Sequence, residues 1–330
     1  MKKAVITGVA GQDGSYLAEL LLENGYNVVG LSRRKSVESG IINIKHLFDD
    51  KNFIFVEGDV TDPTFVFKTA KRECPDEWYN LAAQSNVGHS FEEPVLAFDI
   101  NAKSVIIQLE ALRQFSPKTK FYQASTSELW GGLKCPEGGY DESMKFHPRS
   151  PYGVSKLAAY WATVNYREAY GMFACNGILH NHSSPRRGFD FATRKITHGV
   201  ASVKLGLQDK VRMGNLASFR DEGHSSDYVR AMYLMLQQDI PKDYLVATGD
   251  GATMEEMFRY VCELAELNFE DVYEVDERFM RPSEVPYLRG NPKVVMEELD
   301  WRPKYTWKKL LKEMYENDLK NLSWEGAIVI

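Results

Sequence analysis

The chain has 330 residues, 44% of them apolar, so it can bury a substantial core and is long enough for one large domain with a smaller lobe. Its net charge of −6 excludes a general nucleic-acid surface and leaves any phosphate to local basic clusters. Cys74, Cys135, Cys175 and Cys262 are scattered without metal-ligand spacing, the N-terminus enters a strand with no signal peptide, and no apolar run is long enough to span a bilayer; these features predict a cytoplasmic protein with reduced thiols and no membrane partner.

Along the chain, short apolar runs alternate with amphipathic stretches, the rhythm of βα units around a parallel sheet. Strands are expected at Ala4–Thr7, Val28–Leu31, Phe53–Val56, Trp78–Ala82, Phe121–Ala124 and Phe173–Leu179, and helices at Tyr16–Glu23, Val95–Gln114 and Pro151–Tyr170. After about Pro185 this rhythm breaks. Helices are expected there near Thr193–Leu205, Asp227–Gln237, Glu255–Leu267 and Trp307–Asn317, and Thr253 with Glu256 has capping-box spacing ahead of the third. No repeat or low-complexity linker separates the halves, so the C-terminal lobe is expected to pack closely on the first.

Gly8, Gly11 and Gly14 follow the first strand and lead into a helix ending near Gly25. Such a turn brings backbone close to a pyrophosphate at a helix N-terminus. The spacing is GxxGxxG rather than GxGxxG, and a triplet alone also fits a tight turn with no ligand; the strand before it and the helix after it make dinucleotide binding the expectation. At the end of the second strand, where an acid would grip the ribose hydroxyls of NAD, the chain has Ser32, Arg33 and Arg34. Arginines there suit a ribose phosphate, since charge-assisted hydrogen bonds are worth roughly 1.5–3 kcal/mol each. NADP is therefore the expected cofactor, against the alternative of a solvated basic turn.

Tyr152 and Lys156 lie four residues apart at the start of a helical stretch, so they share a face. A lysine ammonium beside a phenol favours the phenolate, the form that takes a proton from an alcohol. The preceding strand ends in Ser125-Thr126-Ser127-Glu128, where Thr126 can hydrogen-bond the same hydroxyl. Thr126, Tyr152 and Lys156 suffice to oxidise an alcohol. Glu128 is an additional carboxylate, readable either as a base or as a solvent-facing loop residue.

These segments, with "TGVAGQDGSYLAE", "YNLAAQS", "FYQASTSEL", "HPRSPYGVSK", "NHSSPRRG", "TRKIT", "GNLASFRDEGH" and "RPSEV", resemble the extended short-chain dehydrogenase/reductases and, among them, the GDP-mannose 4,6-dehydratases, over nearly the whole chain. The resemblance implies an α/β fold: a Rossmann doubly wound parallel sheet with a smaller C-terminal α/β substrate lobe. The cofactor domain is expected at 1–185, with segments returning from the C-terminal half, and the sugar-nucleotide lobe mainly at 186–330. It implies Thr126, Glu128, Tyr152 and Lys156 as catalytic residues, and cofactor contacts from Gly8, Gly11, Gln12, Asp13, Gly14, Arg33, Arg34, Asp59, Val60, Leu81, Ala82, Ala83, Ser85, Tyr152, Lys156, His182 and Arg187. Substrate contacts are implied at Ser85, Ser127, Glu128, Asn181, Lys195, Arg220, Arg281 and Glu284, where guanidinium forks suit a pyrophosphate. The implied reaction is oxidation at C4, loss of water across C5 and C6 with Glu128 as base, and hydride return to C6. Rival readings are an enzyme that stops at C4 oxidation or epimerisation, and a non-catalytic NADP-binding regulator.

The chain also departs from the family pattern. Trp130 stands where tyrosine is usual, His180 and Ser183 alter "FNHES", Glu222 replaces the tryptophan of "RDWGH", and a segment usual between Leu267 and Val275 is absent. The sugar is accordingly expected to be GDP-mannose or a larger GDP-manno-heptose. His180 and His182 alternate along a strand, but no third ligand is near in sequence, so no metal is expected. Apolar residues on more than one face of the stretches around Val95–Gln114 and Pro151–Tyr170, including Ile106, Ile107, Tyr160 and Trp161, lead to the expectation of a homodimer or homotetramer.

Overall fold

The computed structural model describes residues 1–33, 41–280 and 282–328. Its first half follows the expected rhythm: β1 (Lys3–Thr7), α1 (Gln12–Glu23), β2 (Asn27–Ser32), β3 (Phe53–Glu57), α2 (Pro63–Glu73), β4 (Glu77–Asn80), then α3 (Val87–Glu92), α4 (Pro94–Phe98) and α5 (Ser104–Phe115), β5 (Lys120–Thr126), α6 (Pro151–Tyr170) and β6 (Ala174–Leu179). The single helix expected over Val95–Gln114 is instead interrupted by a π-helical turn at Asp99–Lys103. Helix α1 begins at Gln12, earlier than its apolar periodicity indicates, because the glycine loop itself winds into its first turn.

Beyond β6 the chain forms β7 (Asn181–Ser183), α7 (Ala192–Lys204), β8 (Val211–Met213), β9 (Phe219–His224), α8 (Ser225–Gln237), β10 (Tyr244–Val246), β11 (Gly251–Thr253), α9 (Met254–Leu264), α10 (Phe269–Val272), β12 (Tyr273–Val275), β13 (Tyr287–Leu288), α11 (Lys293–Glu298) and α12 (Trp307–Ile328). The capping box at Thr253 and Glu256 is present in both directions. The last helix runs well past the expected Asn317.

Seven strands form one parallel sheet in the order β10-β6-β5-β4-β1-β2-β3, with chain order reversing between β1 and β4. Apolar residues pack on both faces: Leu17, Leu21, Met232 and Trp301 on one, Trp78, Leu109, Leu112 and Phe121 on the other. A second cluster, around Ile196, Val200, Phe258, Leu310 and Met314, holds α7, α9 and α12 together. Strand β9 pairs with β7, β11 and β13 in a separate four-stranded sheet, and β7 follows β6 directly in the chain, which links the two sheets. A crevice therefore opens at the carboxyl ends of the strands, at the reversal of chain order, where open α/β sheets bind ligands.

Candidate active site

The crevice is a cavity of about 1540 Å³. Its floor begins at Gly8, whose φ of +72° only glycine adopts readily, and a Cβ there would fall 2.9 Å from the Ala82 amide nitrogen. A Cβ on Gly14 would fall 2.4 Å from the Gly8 oxygen, so the loop and α1 meet backbone against backbone. Gly11 caps α1 without a side-chain bond, and Gln12, Asp13 and Gly14 of its first turn line the cavity. Below them Thr7 Oγ1 donates to Asn80 Oδ1 (2.7 Å) and accepts from the Leu81 and Ala82 amides, while Asn80 Nδ2 donates to Gln123 Oε1 (2.7 Å). This chain fixes the ends of β1, β4 and β5 to one another.

A dinucleotide fits these residues. The loop is a cradle that side chains would fill, the α1 N-terminus carries no side-chain cap, and the Nε of Arg187 on the cavity wall is buried without a partner. Arg33, Asp59, Val60, Leu81, Ala82, Ala83, Ser85 and His182 line the same cavity. Arg34 and Arg281 lie outside the described residues.

His182 Nε2 lies 2.8 Å from Asp13 Oδ2 and its Nδ1 lies 2.7 Å from the His180 carbonyl oxygen. Both ring nitrogens thus face acceptors, and the imidazole is satisfied on both sides only as a cation. Burial works against that charge, but the Asp13 carboxylate lifts the His182 pKa above its ordinary value. Burial likewise pushes Asp13 up, and His182 followed by Arg187 outweighs it, leaving the Asp13 carboxyl at about 2. His180 behaves oppositely: burial drives it down to about 3, both nitrogens are unpartnered, and its ring stacks on Trp130. The two histidines therefore serve different surroundings, and among the described residues no cluster of three or more His, Cys, Asp or Glu is arranged to hold a metal ion.

Thr126, Ser127, Glu128, Tyr152 and Lys156 all line the cavity. Ser150 caps α6 through the Gly153 amide, Pro151 opens the helix, and the Tyr152 amide donates to Ser90 Oγ (3.1 Å), so the tyrosine sits on a fixed first turn. The Thr126 hydroxyl neighbours the Tyr152 phenol and favours its ionised form. Lys156 Nζ donates to the Ala124 oxygen (3.0 Å) and lies 5.9 Å from the centre of the Tyr152 ring. Burial raises Tyr152 to about 12 and lowers Lys156 to about 8.

Asn181 and Arg220 also line the cavity. Glu284 does not, but pairs with Arg220 at 3.3 Å. Lys195 lies in an adjoining hollow of about 340 Å³ with Lys210, Arg212 and Arg278, its Nζ 3.6 Å from the Phe279 ring centre. Of the departures, only His180 reaches the cavity wall. Trp130 is fully buried against Tyr140 with ring centres 5.4 Å apart, and Ser183 donates to Glu222 Oε1 at 2.6 Å behind the wall.

Sequence reasoning missed three features. Arg186 crosses from the wall to α1, bonding Ser15 Oγ and Glu19 and covering the Tyr16 ring; its only signal was its place beside Arg187. The Ser183–Glu222 pair was foreshadowed by two departures falling on strands that prove to be neighbours. The buried Arg194–Asp318 ion pair (2.6 Å) joining α7 to α12 had no local signal.

A family model described as GDP-mannose 4,6 dehydratase matches residues 5–314. A Yersinia enterocolitica protein named GDP-mannose 4,6-dehydratase is 45% identical, covering 97% of this chain and 94% of its own, and Arabidopsis thaliana GDP-mannose 4,6 dehydratase 2 is 46% identical, covering 99% and 90%. Among solved structures, Thermus thermophilus UDP-glucose 4-epimerase in complex with NAD superposes with a TM-score of 0.83 at 26% identity, covering 96% of this chain and 98% of that one. A nicotinamide cofactor and a sugar-nucleotide substrate agree with these likenesses and with the cavity. The chain belongs to the GDP-mannose 4,6-dehydratase family of the extended short-chain dehydrogenase/reductases.

Proposed function

We propose that the protein is an NADP-dependent hydro-lyase that converts GDP-mannose, or a GDP-manno-heptose, to the corresponding GDP-4-keto-6-deoxy sugar. The observation that carries this reading is that a glycine-loop cradle, an alcohol-oxidising set of Thr126, Tyr152 and Lys156, and the further carboxylate of Glu128 border one cavity. The nicotinamide, when bound, supplies the acceptor for the C4 hydride and its return to C6. Tyr152 Oη takes the C4 hydroxyl proton, with Thr126 bonded to that oxygen and Lys156 lending positive charge. The C4 ketone acidifies the C5 hydrogen. Glu128 removes this proton, the electron pair forms the C5–C6 double bond, and hydroxide leaves C6 as water with the proton Glu128 has gained; when hydride has returned to C6, C5 takes up a proton, which balances the one Tyr152 removed from the C4 hydroxyl.

Arg33 at the cavity lip supports NADP over NAD. Residues 1–185 are proposed to hold mainly the cofactor and 186–330 mainly the sugar nucleotide. Cytoplasmic residence agrees with four unpaired cysteines and with the absence, among the described residues, of a helix able to cross a membrane. A homo-oligomer is proposed from the outer faces of α5 and α6, where Ile106, Val154 and Trp161 are exposed.

Glu128→Gln tests the reaction, since it keeps hydrogen bonding but removes proton acceptance. Turnover of GDP-mannose and GDP-manno-heptose, followed by mass spectrometry for loss of water, is expected to fall by about 10²–10⁴, while reduced nicotinamide accumulates because C4 oxidation persists. Product formation at near the parental rate would assign the elimination to another residue.

A further inference from the structure

Thr126 Oγ1 does two things at once. It accepts the Glu128 amide hydrogen at 3.2 Å, capping the turn Ser127–Trp130, and it neighbours the Tyr152 phenol, whose pKa it lowers against the effect of burial. A hydroxyl has one proton and two lone pairs. With one lone pair committed to the Glu128 N–H, its proton is what Thr126 can offer once the Tyr152 oxygen has lost its own. One oxygen atom therefore links the residue that deprotonates the C4 hydroxyl to the backbone of the residue that deprotonates C5, a bonded neighbour of C4.

The near end of the turn is also braced by the Gly131 amide on the Glu128 oxygen (3.2 Å) and by the His147 amide on the Leu129 oxygen (2.7 Å), so the Thr126 hydroxyl acts on a segment that is already buried and bonded. At its far end Trp130 is clamped between Tyr140 and His180. Beside the carboxylate, a Cβ on Gly131 would fall 2.7 Å from Val285 and at ordinary contact distance, 3.7 Å, from Glu128 Oε2, so the glycine lets Val285 pack close to the turn. A displaced turn would move the carboxylate away from C5, and misplacement of about 1 Å can cost on the order of 10²-fold in rate.

We infer that Thr126, beyond its part in alcohol oxidation, is the positioning residue for Glu128, setting through its hydroxyl the aim of the carboxylate at C5. The inference rests on the dehydratase reading above. It predicts that removing the Thr126 oxygen damages C5 proton transfer even where no alcohol has to be oxidised.

Exchange at C5 isolates that step. The holoenzyme is incubated in D₂O with GDP-4-keto-6-deoxymannose, which already carries the ketone, and the H5 signal is followed by proton NMR. Glu128 takes the C5 proton, the C–H electron pair moves into the C4–C5 bond and onto the ketone oxygen, and a deuteron from solvent returns to C5 through the carboxyl group. Thr126→Val is expected to slow this exchange about 10- to 100-fold and Thr126→Ser, which restores the oxygen, to stay within about threefold of the parent. Thr126→Ala removes the oxygen without a second buried methyl and is expected to match Thr126→Val, with NADP binding by each variant as the check on folding. Parental exchange in Thr126→Val or Thr126→Ala, with exchange abolished in Glu128→Gln, overturns the positioning role alone. Parental exchange in Glu128→Gln overturns the assignment of Glu128 on which it rests.

Discussion

Asp13 and His182 are bonded at 2.8 Å between the first turn of α1 and β7, so the glycine loop is tied to the opposite wall of the cavity by a charged pair. The Asp13 carboxyl, at about 2 against 3.8 for an ordinary aspartate, contributes stability that is complete above the ordinary value and lost as pH falls towards 2. His182 is shifted upwards, so its contribution is complete below the ordinary 6.5 and lost as pH rises through its higher folded value. Unfolding free energy from denaturant titrations is expected to show both flanks, the acid one amounting to roughly 2 kcal/mol. His182→Gln should flatten both; an unchanged acid flank would show that Arg187, not His182, holds Asp13 ionised.

Arg33 is exposed at the lip of the cavity, beyond the end of β2. Replacing it by alanine is expected to weaken NADP binding about 10- to 100-fold, the loss of a charge-assisted hydrogen bond, and to leave NAD binding nearly unchanged. Arg33→Ala/Arg34→Ala should extend the difference. Isothermal titration with both cofactors checks this, and equal losses for the two would remove the arginines from phosphate recognition.

Val154 and Trp161 lie two turns apart on α6 and are 43% and 56% exposed, with Ile106 of α5 48% exposed. Ile107 and Tyr160, also expected to contribute, are largely turned inwards, with Ile107 against the sheet core and Tyr160 against Phe146 and Trp161. Sedimentation analysis of the parent at micromolar concentration is expected to give a dimer or larger species, and Trp161→Glu to shift it towards monomer by placing a charge on the apolar face. A monomeric parent would dismiss the interface.

The parts of the protein legible in its sequence are those written in short-range chemistry. The glycine triplet, the Tyr152–Lys156 spacing and the strand ending in Thr126 each specify a local geometry, and each is found on the element expected. The π turn at Asp99–Lys103 has no such script, since its widened winding answers to the packing of α4 and α5 against α6 rather than to a residue pattern. The ionisation of Tyr152 depends on more than spacing. Spacing reveals that a lysine is near but not how much water surrounds the pair, and burial raises the phenol while it lowers the amine. Arg194 and Asp318, far apart in the chain, meet only because α7 and α12 pack side by side.

Strand β10 was missed because three residues, Tyr244–Val246, are too few to show a period, yet they form one edge of the seven-stranded sheet beside β6. During synthesis, β6 would leave the ribosome with its outer row of N–H and C=O groups unmatched until more than sixty further residues had followed. The nucleotide-binding sheet is thus finished only after the strand carrying Arg220 has been made, so a nascent chain halted between them presents a sticky edge for chaperones or for another copy of itself.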